Sequence, residues 1–375
     1  MKHYALIDNS LEKESYLFTN PQKFIVCDSA GDVEAKFAEI EEAVDSGHYA
    51  VGWFSYEFGE CFEERFASDL PAKSEFPFFC VAIFNPEDMR KIDDSLSELP
   101  CDGVSPSPQS ISFTPNITKS QYIADVERIK EYLAAGDVYQ VNYTFKYKIE
   151  YEGCKASLYK KLRKNQKVEY GAFLNFPNYK VLSFSPELFF KTDGDIITSK
   201  PMKGTAPKTT DTDAIPLDKD NKNLSENLMI VDLIRNDISR VAENVSVPKL
   251  FEVEEYETLY QMTSTITGNI SETSNLLELF KNLYPCGSIT GTPKIRAMEI
   301  ISQLEKDKRK VYTGSVVCIK PNRVIVANVA IRTLLFGEAF GEMGIGSGIV
   351  YDSIPQKEYE ECLLKAKFLT MSFSS

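Results

Sequence analysis

Apolar residues along the chain follow two periodicities, one typical of strands and one typical of helices. From Tyr139 to Ile149 they alternate with polar residues, which predicts a half-buried strand with Gln140 on its more polar face. Before this strand, apolar residues recur at helical spacing after Thr118, which opens a T-x-x-Q capping box, and Gly136 is expected to end that helix. The pattern therefore places Gln140 on a strand that directly follows a helix.

The rest of the chain shows the same mixture of short elements. Further helices are predicted near residues 33–46, 223–241, 293–305 and 355–371, and further strands near 168–176, 181–191, 195–200, 311–319 and 323–336. Their mostly short connections favour antiparallel sheets with flanking helices over a doubly wound parallel sheet. The polar, Ser/Pro-rich segment 86–110 is predicted to be a long surface connection.

Composition excludes several classes of protein. The chain has 375 residues, 43% of them hydrophobic, which is enough to bury a sizeable core. Its net charge of −13 and the lack of a basic patch disfavour nucleic-acid binding. The longest apolar run, at about 76–84, is far too short to span a membrane. We therefore expect a cytoplasmic protein with a local cationic pocket for any small anionic substrate.

The cysteines offer little chemistry of their own. Eight are scattered along the chain without a CxxC pair, and only two histidines are present, so zinc-ligand spacing is absent. A chain of this size with scattered cysteines is typical of a reduced, intracellular protein. No histidine lies near any cysteine in sequence, which disfavours a cysteine nucleophile.

Two ionisable residues stand in sequence contexts that suggest catalysis. Glu187 lies in a predicted strand rich in Phe and Leu, and a carboxyl group among apolar neighbours tends to keep its proton and serve as an acid. Lys203 precedes Gly204, where backbone can approach a ligand, and a lysine becomes a nucleophile only when its pKa is depressed. Taken alone, each also fits a structural role, as a salt-bridged glutamate at a strand end and a lysine in a surface turn.

Acidic residues suggest a metal site. Glu226 lies early in the predicted helix 223–241, while Glu358, Glu361 and Lys365 fall at i, i+3 and i+7 on one face of the last helix. Carboxylates are hard ligands suited to Mg²⁺, which keeps several of its waters. The structural alternative is a solvated acidic face on an exposed helix.

Two glycine-containing segments and one arginine complete the candidate chemistry. Residues 285–294 form a Gly/Thr-rich loop that runs into a helix, so its amides are able to receive a carboxylate, but it lacks the G-K-[ST] of a Walker loop. Residues 341–350 have the glycine spacing of many tight turns, without the following helix of a dinucleotide site. Arg332 supplies a cation in a predicted strand, where a structural salt bridge is the alternative.

The order of these motifs resembles the chorismate-utilising enzyme family from about residue 120 to the C-terminus. That family includes anthranilate synthase, aminodeoxychorismate synthase, isochorismate synthase and salicylate synthase. The motifs that carry the resemblance are GDVYQVN at 136–142, SPE at 185–187, PMKGT at 201–205, ENLMIVDLIRND at 226–237, TGTPK at 290–294, GSGIV with DS at 346–353 and EYEECLLK at 358–365. The N-terminal part resembles the family more loosely, through VGWFSYE at 51–57.

Two positions separate the branches of this family by their chemistry. Water-using members resemble one another in carrying a lysine where this chain has Gln140, and glutamine has no basic lone pair at neutral pH. Anthranilate synthase-like members carry a small residue at the position of Lys203, whereas aminodeoxychorismate synthase-like members carry a lysine. The resemblance therefore implies amination of chorismate to 4-amino-4-deoxychorismate, the precursor of 4-aminobenzoate and folate. Gln261 departs from the family, because many relatives have a histidine there, and no histidine role is carried over to it.

The resemblance also implies roles for the site residues. Lys203 is expected to attack C2 of chorismate while Glu187 protonates the departing C4 hydroxyl, after which ammonia attacks C4 and expels the lysine. Mg²⁺ is expected to be held by Glu226 and Glu361, with Glu358 nearby, and to anchor the ring carboxylate of chorismate. The implied substrate-binding residues are Gln140, Thr290, Tyr312, Arg332, Gly346, Gly348 and Lys365.

The fold implied by the resemblance is α+β, with two antiparallel β-sheets packed face to face and helices on the outside. Residues 1–375 are expected to form a single chorismate-binding domain, in which the N-terminal region 1–115 interleaves with a catalytic core at 116–375. No glutaminase motif is visible, so we expect ammonia to come from a separate glutamine amidotransferase subunit. A separate lyase is expected to complete the synthesis of 4-aminobenzoate.

Four other functions are compatible with parts of the sequence. Anthranilate synthase component I shares the fold and the first substrate, although Lys203 argues against it, and Gln140 argues against isochorismate synthase. A catalytically silent chorismate-site protein acting as a scaffold for an amidotransferase is a third alternative. A pyridoxal-phosphate enzyme is a fourth, because it also needs a reactive lysine.

Overall fold

The computed structural model of the protein describes residues 3–101, 111–207, 217–255, 259–270 and 275–371. The α-helices in these ranges are α1 (Val33–Asp45), α2 (Lys119–Ala134), α3 (Lys155–Asn165), α4 (Asn221–Ile238), α5 (Leu276–Leu283), α6 (Lys294–Leu304) and α7 (Pro355–Met371). The β-strands in the same ranges are β1 (Tyr4–Asn9), β2 (Glu14–Thr19), β3 (Lys23–Cys27), β4 (Tyr49–Phe54), β5 (Phe79–Phe84), β6 (Met89–Ile92), β7 (Ile111–Pro115), β8 (Gln140–Tyr151), β9 (Tyr170–Asn175), β10 (Lys180–Ser185), β11 (Leu188–Asp193), β12 (Ile196–Lys200), β13 (Met202–Pro207), β14 (Ala242–Glu255), β15 (Leu259–Ile270), β16 (Gly291–Thr292), β17 (Ser315–Ile319), β18 (Ile325–Asn328), β19 (Thr333–Phe336) and β20 (Gly341–Ile349).

The strands form two sheets, and each strand pair in the described ranges is antiparallel. Sheet A has the order β16-β8-β20-β19-β10-β9-β1-β2-β6, with β7 also paired to β8. Sheet B has the order β13-β15-β12-β11-β18-β17-β4-β5-β3, with β14 also paired to β15. The N-terminal strands thus contribute to both sheets. The predicted α+β fold with two antiparallel sheets is confirmed.

The two sheets pack face to face through a core of apolar side chains. In β4, Val51 and Trp53 point into this inter-sheet core, whereas Phe54 points to the opposite face. Phe18 of sheet A contacts Phe84 of sheet B, with ring centroids 5.5 Å apart. Alternate residues of one strand therefore serve two different cores, as the two-residue period of a strand requires.

Helices cover the outer face of each sheet. On sheet B, Phe37 of α1 and Phe280 of α5 pack against Phe54, at centroid distances of 5.7 and 4.7 Å. On sheet A, Tyr122 of α2 lies against Phe145 of β8. Because both faces of these central strands are covered, their residues are buried whichever way they point. This explains the unbroken apolar run around β5 and the complete burial of Gln140, for which a half-exposed polar face was predicted.

Two predicted strands are each divided between the sheets. The segment predicted as one strand at 181–191 is β10 in sheet A followed by β11 in sheet B, with Pro186 and Glu187 between them. The segment predicted at 323–336 is β18 in sheet B followed by β19 in sheet A. Arg332 consequently lies at a bend, with φ of +50°, and not inside a strand as predicted. The periodicity of apolar residues does not reveal these crossings, because the strands before and after each crossing are equally buried.

Other sequence predictions have mixed outcomes. The helices predicted near 33–46, 118–136, 223–241, 293–305 and 355–371 are confirmed as α1, α2, α4, α6 and α7. The long hairpin β14–β15 was not predicted, because its outward face is polar, and neither were the short helices α3 and α5. The prediction that 86–110 is only a connection is wrong at β6, which pairs with β2. The part at 102–110 lies outside the described residues.

The glycines of 341–350 do not form a turn. They lie within β20, which pairs along most of its length with β8. Gly344 lies against the ring of Tyr312, where a side chain at position 344 would overlap that ring. Glycine in this strand therefore provides room for neighbouring groups, one of the uses of glycine inside a sheet.

The prediction that all cysteines are reduced is wrong for one pair. Cys101 and Cys154 form a disulfide bond, with Cα atoms 5.9 Å apart. Tyr4 donates a hydrogen bond to the carbonyl of Pro100, which places Cys101 beside the start of α3. The other cysteines are free thiols in the described structure. No helix in the described ranges combines the length and apolar character needed to cross a membrane.

Substitution of Gly52 tests the packing inside sheet B. A Cβ at this position of β4 would overlap the backbone carbonyl of Cys80 on β5. We expect Gly52→Ala to lower the free energy of unfolding by about 1–3 kcal/mol, the usual cost of overpacking, as measured by urea denaturation. The control is Gly31→Ala, where the nearest atom lies 3.8 Å from the new Cβ. Equal unfolding midpoints for the two variants would contradict the described strand spacing.

Candidate active site

The candidate site lies where the chain crosses between the two sheets. The crossing at Pro186–Glu187 and the crossing at 329–332 are joined by backbone and side-chain hydrogen bonds. Val329 N–H donates to the carbonyl of Glu187 at 3.0 Å, and the hydroxyl of Ser185 donates to the carbonyl of Val329 at 2.6 Å. Phe184 N–H donates to the carbonyl of Arg332 at 3.1 Å. These bonds fix Glu187 and Arg332 relative to both sheets.

Glu187 is a buried acid. Its side chain is 4% exposed, and its Oε1 accepts a 2.7 Å hydrogen bond from the hydroxyl of Ser288. Burial raises the pKa of Glu187 to about 7, although the Ser288 hydrogen bond and the charge of Lys203 act to lower it. A carboxyl group with this pKa is partly protonated near neutral pH, which suits a general acid.

Lys203 lies on a bulge of β13. The register between β13 and β15 shifts between Met202 and Thr205, so that two residues of β13 lie opposite one residue of β15. Gly204 lies in this bulge and has a φ of +85°, which favours glycine. The bulge directs the lysine toward sheet A. Burial lowers the pKa of Lys203, partly offset by the charge of Glu226. A lysine with a depressed pKa has a larger neutral, nucleophilic fraction.

Gly348 provides the space in which Lys203 and Gln140 meet. Gly348 lies in β20. A Cβ added to it would be 3.3 Å from Lys203 Nζ and 3.4 Å from Gln140 Nε2. Within the described part of the chain, neither polar atom of the buried Gln140 amide has a hydrogen-bond partner. Leaving a buried amide unpaired costs about 1–3 kcal/mol. The orphaned amide beside Lys203 is therefore a candidate contact for a polar ligand.

Tyr312 lies in a tight turn that is hydrogen-bonded to the crossing that carries Arg332. The turn contains two residues with positive φ, Lys310 at 58° and Thr313 at 58°. Thr313 N–H donates to the carbonyl of Ala330 at 3.0 Å, which ties the turn to the crossing that carries Arg332. Burial raises the pKa of Tyr312, so its hydroxyl remains neutral. The charge of Arg332 reaches Glu187, whose pKa it lowers.

Three other predicted binding residues surround this region. The hydroxyl of Thr290 donates to the carbonyl of Cys286 at 2.8 Å, which occupies its proton in holding the loop together. Lys365 donates to the carbonyl of Gly346 at 3.0 Å and also pairs with Glu361 at 2.8 Å. The side chains of Lys365 and Glu361 are about half exposed, at 43% and 51%. The lysine thus connects helix α7 to the glycine strand β20.

The predicted metal ligands are carboxylates on two helices. Burial raises the pKa of Glu226 on α4, and the charges of Glu358 and Glu361 on α7 raise it further. Glu358 accepts a 2.8 Å hydrogen bond from the hydroxyl of Ser353, which orients it. Glu226 is therefore within electrostatic range of both α7 carboxylates, and carboxylate oxygens are the donors that a hard dication prefers. Across the described ranges, however, no group of three or more acidic, histidine or cysteine side chains is arranged to hold a metal.

One buried arginine behind the site was missed from the sequence. Arg309 is 2% exposed, and its five N–H groups all have acceptors. Two of these donate to Glu305, one to the carbonyl of Asn142 at 2.6 Å and one to the carbonyl of Ile289 at 2.9 Å. Glu57 accepts hydrogen bonds from the backbone of residues 309 and 310. Arg309 therefore joins the strand of Gln140, the loop of Thr290 and the turn of Tyr312.

The roles of Arg309, Ser288 and Ser353 were missed from the sequence for different reasons. The spacing of Glu305 and Arg309 at i, i+4 could have indicated an ion pair, but burial of that pair depends on tertiary packing. Ser288 and Ser353 stand inside motifs that were recognised, yet a serine carries no pattern that reveals its hydrogen-bond partner.

A comparison with known families agrees with this arrangement. The family model described as chorismate binding enzyme matches residues 3–371. The chain belongs to the chorismate-binding enzyme family. The match extends through both sheets, so the N-terminal strands of this chorismate-binding chain belong to the family region as much as the residues of the site do.

Individual relatives give a more detailed view. The chorismate-binding chain is 33% identical over 339 residues to aminodeoxychorismate synthase component 1 of Klebsiella aerogenes, covering 83% of this chain and 74% of that protein. It is 38% identical over 255 residues to aminodeoxychorismate synthase component 1 of Escherichia coli, covering 66% and 56%. The chain spans about half the length, or less, of most curated relatives it matches.

A solved structure supports the fold directly. Anthranilate synthase component I from Streptococcus pneumoniae superposes with a TM-score of 0.80 at 25% sequence identity, covering 96% of this chain and 92% of that one. The chorismate-binding chain therefore shares the two-sheet architecture of this protein over nearly its whole length.

Substitution of Arg309 tests its role behind the site. We expect Arg309→Met to lower the free energy of unfolding by about 3–5 kcal/mol, because it leaves the Glu305 carboxylate buried without its cationic partner, as measured by urea denaturation. Arg296→Met is the control, since Arg296 is 31% exposed and pairs with Asp137 and Glu299 near the surface, and such pairs contribute about 0–1 kcal/mol. Similar losses in the two variants would exclude a special role for Arg309.

Proposed function

We propose that the protein converts chorismate to 4-amino-4-deoxychorismate, with Lys203 as a covalent nucleophile and ammonia as the amino donor. The observation that carries this proposal is the meeting of Lys203 and Gln140 over Gly348. A lysine with a lowered pKa lies there beside an amide that has no partner in the described structure, within reach of the charge of a buried acid. Family membership makes chorismate the substrate to consider, and the names of the two relatives above favour this product over its alternatives.

The opposite pKa shifts of Glu187 and Lys203 have a common origin. Removal from water disfavours the charged form of each group, which raises the pKa of the acid and lowers that of the amine. The productive state needs Glu187 protonated and Lys203 neutral. Burial thus favours both of the required protonation states, and the two groups act together as an acid and a nucleophile.

The chemistry then has two balanced steps. In the first, the lone pair of Lys203 Nζ forms a bond to C2, the ring double bonds shift, and the C4–O bond breaks as Glu187 gives its proton to the departing hydroxyl, which leaves as water. In the second, ammonia forms a bond to C4, the double bonds shift back, and the C2–N bond breaks with its electron pair returning to Lys203. The proton released by the new amino group returns to Glu187. Each step avoids a direct displacement of hydroxyl by ammonia.

Gln140 helps to determine whether water or ammonia acts as the nucleophile. An amide is not a base at neutral pH, so Gln140 does not generate hydroxide from water. Its unpaired N–H and carbonyl groups, next to Lys203, are able to hold a small polar molecule by hydrogen bonds. Ammonia needs no deprotonation to attack carbon. Gln140 therefore favours amination over hydration. Lys203 favours amination at C4 over the reaction that leads to anthranilate.

Charged groups around the site fit the two carboxylates of chorismate. We propose that Arg332 and Tyr312 bind the enolpyruvyl carboxylate, and that Lys365 with the backbone near Gly346 and Gly348 contributes to binding the ring carboxylate. Fixing both ends of the substrate places the reacting carbons without further loss of freedom, a large source of rate enhancement.

A magnesium ion is part of the proposal as a binding group. Glu226 and Glu361, with Glu358 nearby, are the residues that would hold it. When bound, Mg²⁺ supplies positive charge that neutralises these acids and anchors a substrate carboxylate. Glu226 lies on helix α4, and Glu358 and Glu361 lie on helix α7.

The ammonia source is proposed to be a second subunit. The relatives above are named as component 1, which supports a further component in those proteins. We propose that a glutamine amidotransferase subunit delivers ammonia to this chain, and that free ammonium replaces it in vitro.

Product identification tests the proposed function. Purified protein is incubated with chorismate, Mg²⁺ and ammonium, and the products are identified by mass spectrometry. We expect an ion at the mass of aminodeoxychorismate that depends on ammonium, decreases when EDTA is added, and is converted to 4-aminobenzoate by added lyase. Anthranilate with pyruvate would support anthranilate synthase instead, isochorismate without ammonium would support isochorismate synthase, and no consumption of chorismate would support a silent scaffold.

Substitution of Lys203 tests the covalent mechanism. We expect Lys203→Ala to abolish ammonium-dependent amination and the covalent adduct seen by intact-protein mass spectrometry after a rapid quench with chorismate, because no nucleophile then attacks C2. Lys200→Ala is a matched control on β12, the strand that precedes β13 in the chain, since Lys200 forms an ion pair with Glu254. Full amination by Lys203→Ala would reject the covalent step while leaving the overall function in place.

A further inference from the structure

Within the described ranges, Ser288 is the one residue whose side-chain hydroxyl donates to the carboxyl group of Glu187. Its hydroxyl donates to Glu187 Oε1 at 2.7 Å, and both side chains are 4% exposed. Other buried serines nearby bond backbone instead. Ser185 donates to the carbonyl of Val329, and Ser199 donates to the carbonyl of Phe189, each at 2.6 Å. Ser288 thus differs from its neighbours in contacting a titratable group.

The backbone around Ser288 is held on both sides. The residue lies in a single 3₁₀ turn, Gly287–Ile289, between β-structure and helix. Thr290 donates its hydroxyl to the carbonyl of Cys286, and Arg309 donates to the carbonyl of Ile289. A side chain at Gly287 would overlap Leu233, so this turn packs directly on α4. The backbone that carries the Ser288 hydroxyl is therefore fixed in position.

A second contact extends this arrangement. Cys286 Sγ lies 3.3 Å from Ser288 Oγ. Burial raises the pKa of Cys286 to about 12, so the thiol keeps its proton at neutral pH and is able to donate it toward the serine oxygen. Thiol, hydroxyl and carboxyl then form a short chain of hydrogen bonds that ends at the acid.

We propose that Ser288 is a positioning residue for Glu187, fixing the rotation of its carboxyl group and favouring its charged form after proton transfer. The inference rests on the proposed role of Glu187 as the acid that protonates the departing hydroxyl. A carboxyl group that is free to rotate presents its proton to the leaving group only part of the time. The Ser288 hydrogen bond restricts this rotation and stabilises the carboxylate that remains when the proton has left.

Other charged and polar groups also face Glu187 and contribute to its titration. Lys203 on β13 and Arg332 at the second crossing lower the pKa of Glu187, as does a hydrogen bond from the backbone of Met202, and the Cys286 thiol lies on the Ser288 side. Substitution of Ser288 leaves Lys203, Arg332 and the Met202 backbone in place, whereas the Cys286 thiol loses its contact with the serine hydroxyl. A change in the pH profile of a Ser288 variant is therefore attributable to the lost hydroxyl.

The experiment compares Ser288→Ala with the wild-type protein in the ammonium-dependent amination of chorismate across a range of pH. A hydrogen bond to a charged group is worth enough that we expect kcat to fall about tenfold to a hundredfold, with KM for chorismate nearly unchanged. We also expect one of the two apparent pKa values of the kcat/KM profile to rise by about one unit, because the carboxylate loses a stabilising donor. Ser288→Cys, which keeps a weak donor, should fall between the two.

Ser199→Ala is the matched control, because it also removes a buried hydroxyl but leaves Glu187 untouched. Its pH profile should match that of the wild type. Ser288 would be merely structural if Ser288→Ala lost activity without a shift in either pKa, or kept the wild-type kcat. Failure of the proposed function would be recognised separately, because the wild-type protein would then make a different product, and the same comparison of variants would apply to that reaction.

Discussion

The pairing of two chain crossings between the sheets is the constraint on which the candidate site depends. Each crossing takes the chain from one sheet to the other, and the hydrogen bonds between Val329 and Glu187 and between Ser185 and Val329 hold the crossings together. Glu187 and Arg332 are fixed by this arrangement. Lys203 approaches from the bulge in sheet B and Gln140 from the first residue of β8 in sheet A, so groups distant in sequence converge at the join.

Burial gives these groups their chemical character. The same removal from water that raises the pKa of Glu187 lowers that of Lys203, and it also leaves the Gln140 amide unsatisfied. An interior filled only with apolar side chains would be more stable at these positions. The buried network of Arg309 with Glu57 and Glu305 holds the surrounding backbone in place. Stability supplied by the two packed cores thus supports a site that is itself costly to form.

Much of the fold could be predicted from the sequence, for reasons that are visible in particular elements. Helix α2 was predicted because Thr118 caps it, by accepting a hydrogen bond from Gln121 N–H, and Gly136 follows with a φ of +78°. The crossings at Glu187 and Arg332 could not be predicted, because apolar residues on both sides give no sign that the chain changes sheets. The candidate residues themselves were found through the order of motifs. Ser288, which bonds to Glu187, and Arg309, which bonds to the carbonyl of Asn142, were missed because hydrogen bonds across 101 and 167 positions leave no local pattern.

The crossing at Glu187 also has a mechanical consequence. Because the acid lies at a junction while the lysine belongs to one sheet and the amide to the other, the distances among these groups record how the two sheets are aligned. Sliding of one sheet over the other by a fraction of an ångström alters all of them together, even when every strand remains paired. We therefore expect looser packing between the sheets to change the geometry of the candidate site before it lowers the cooperativity of unfolding.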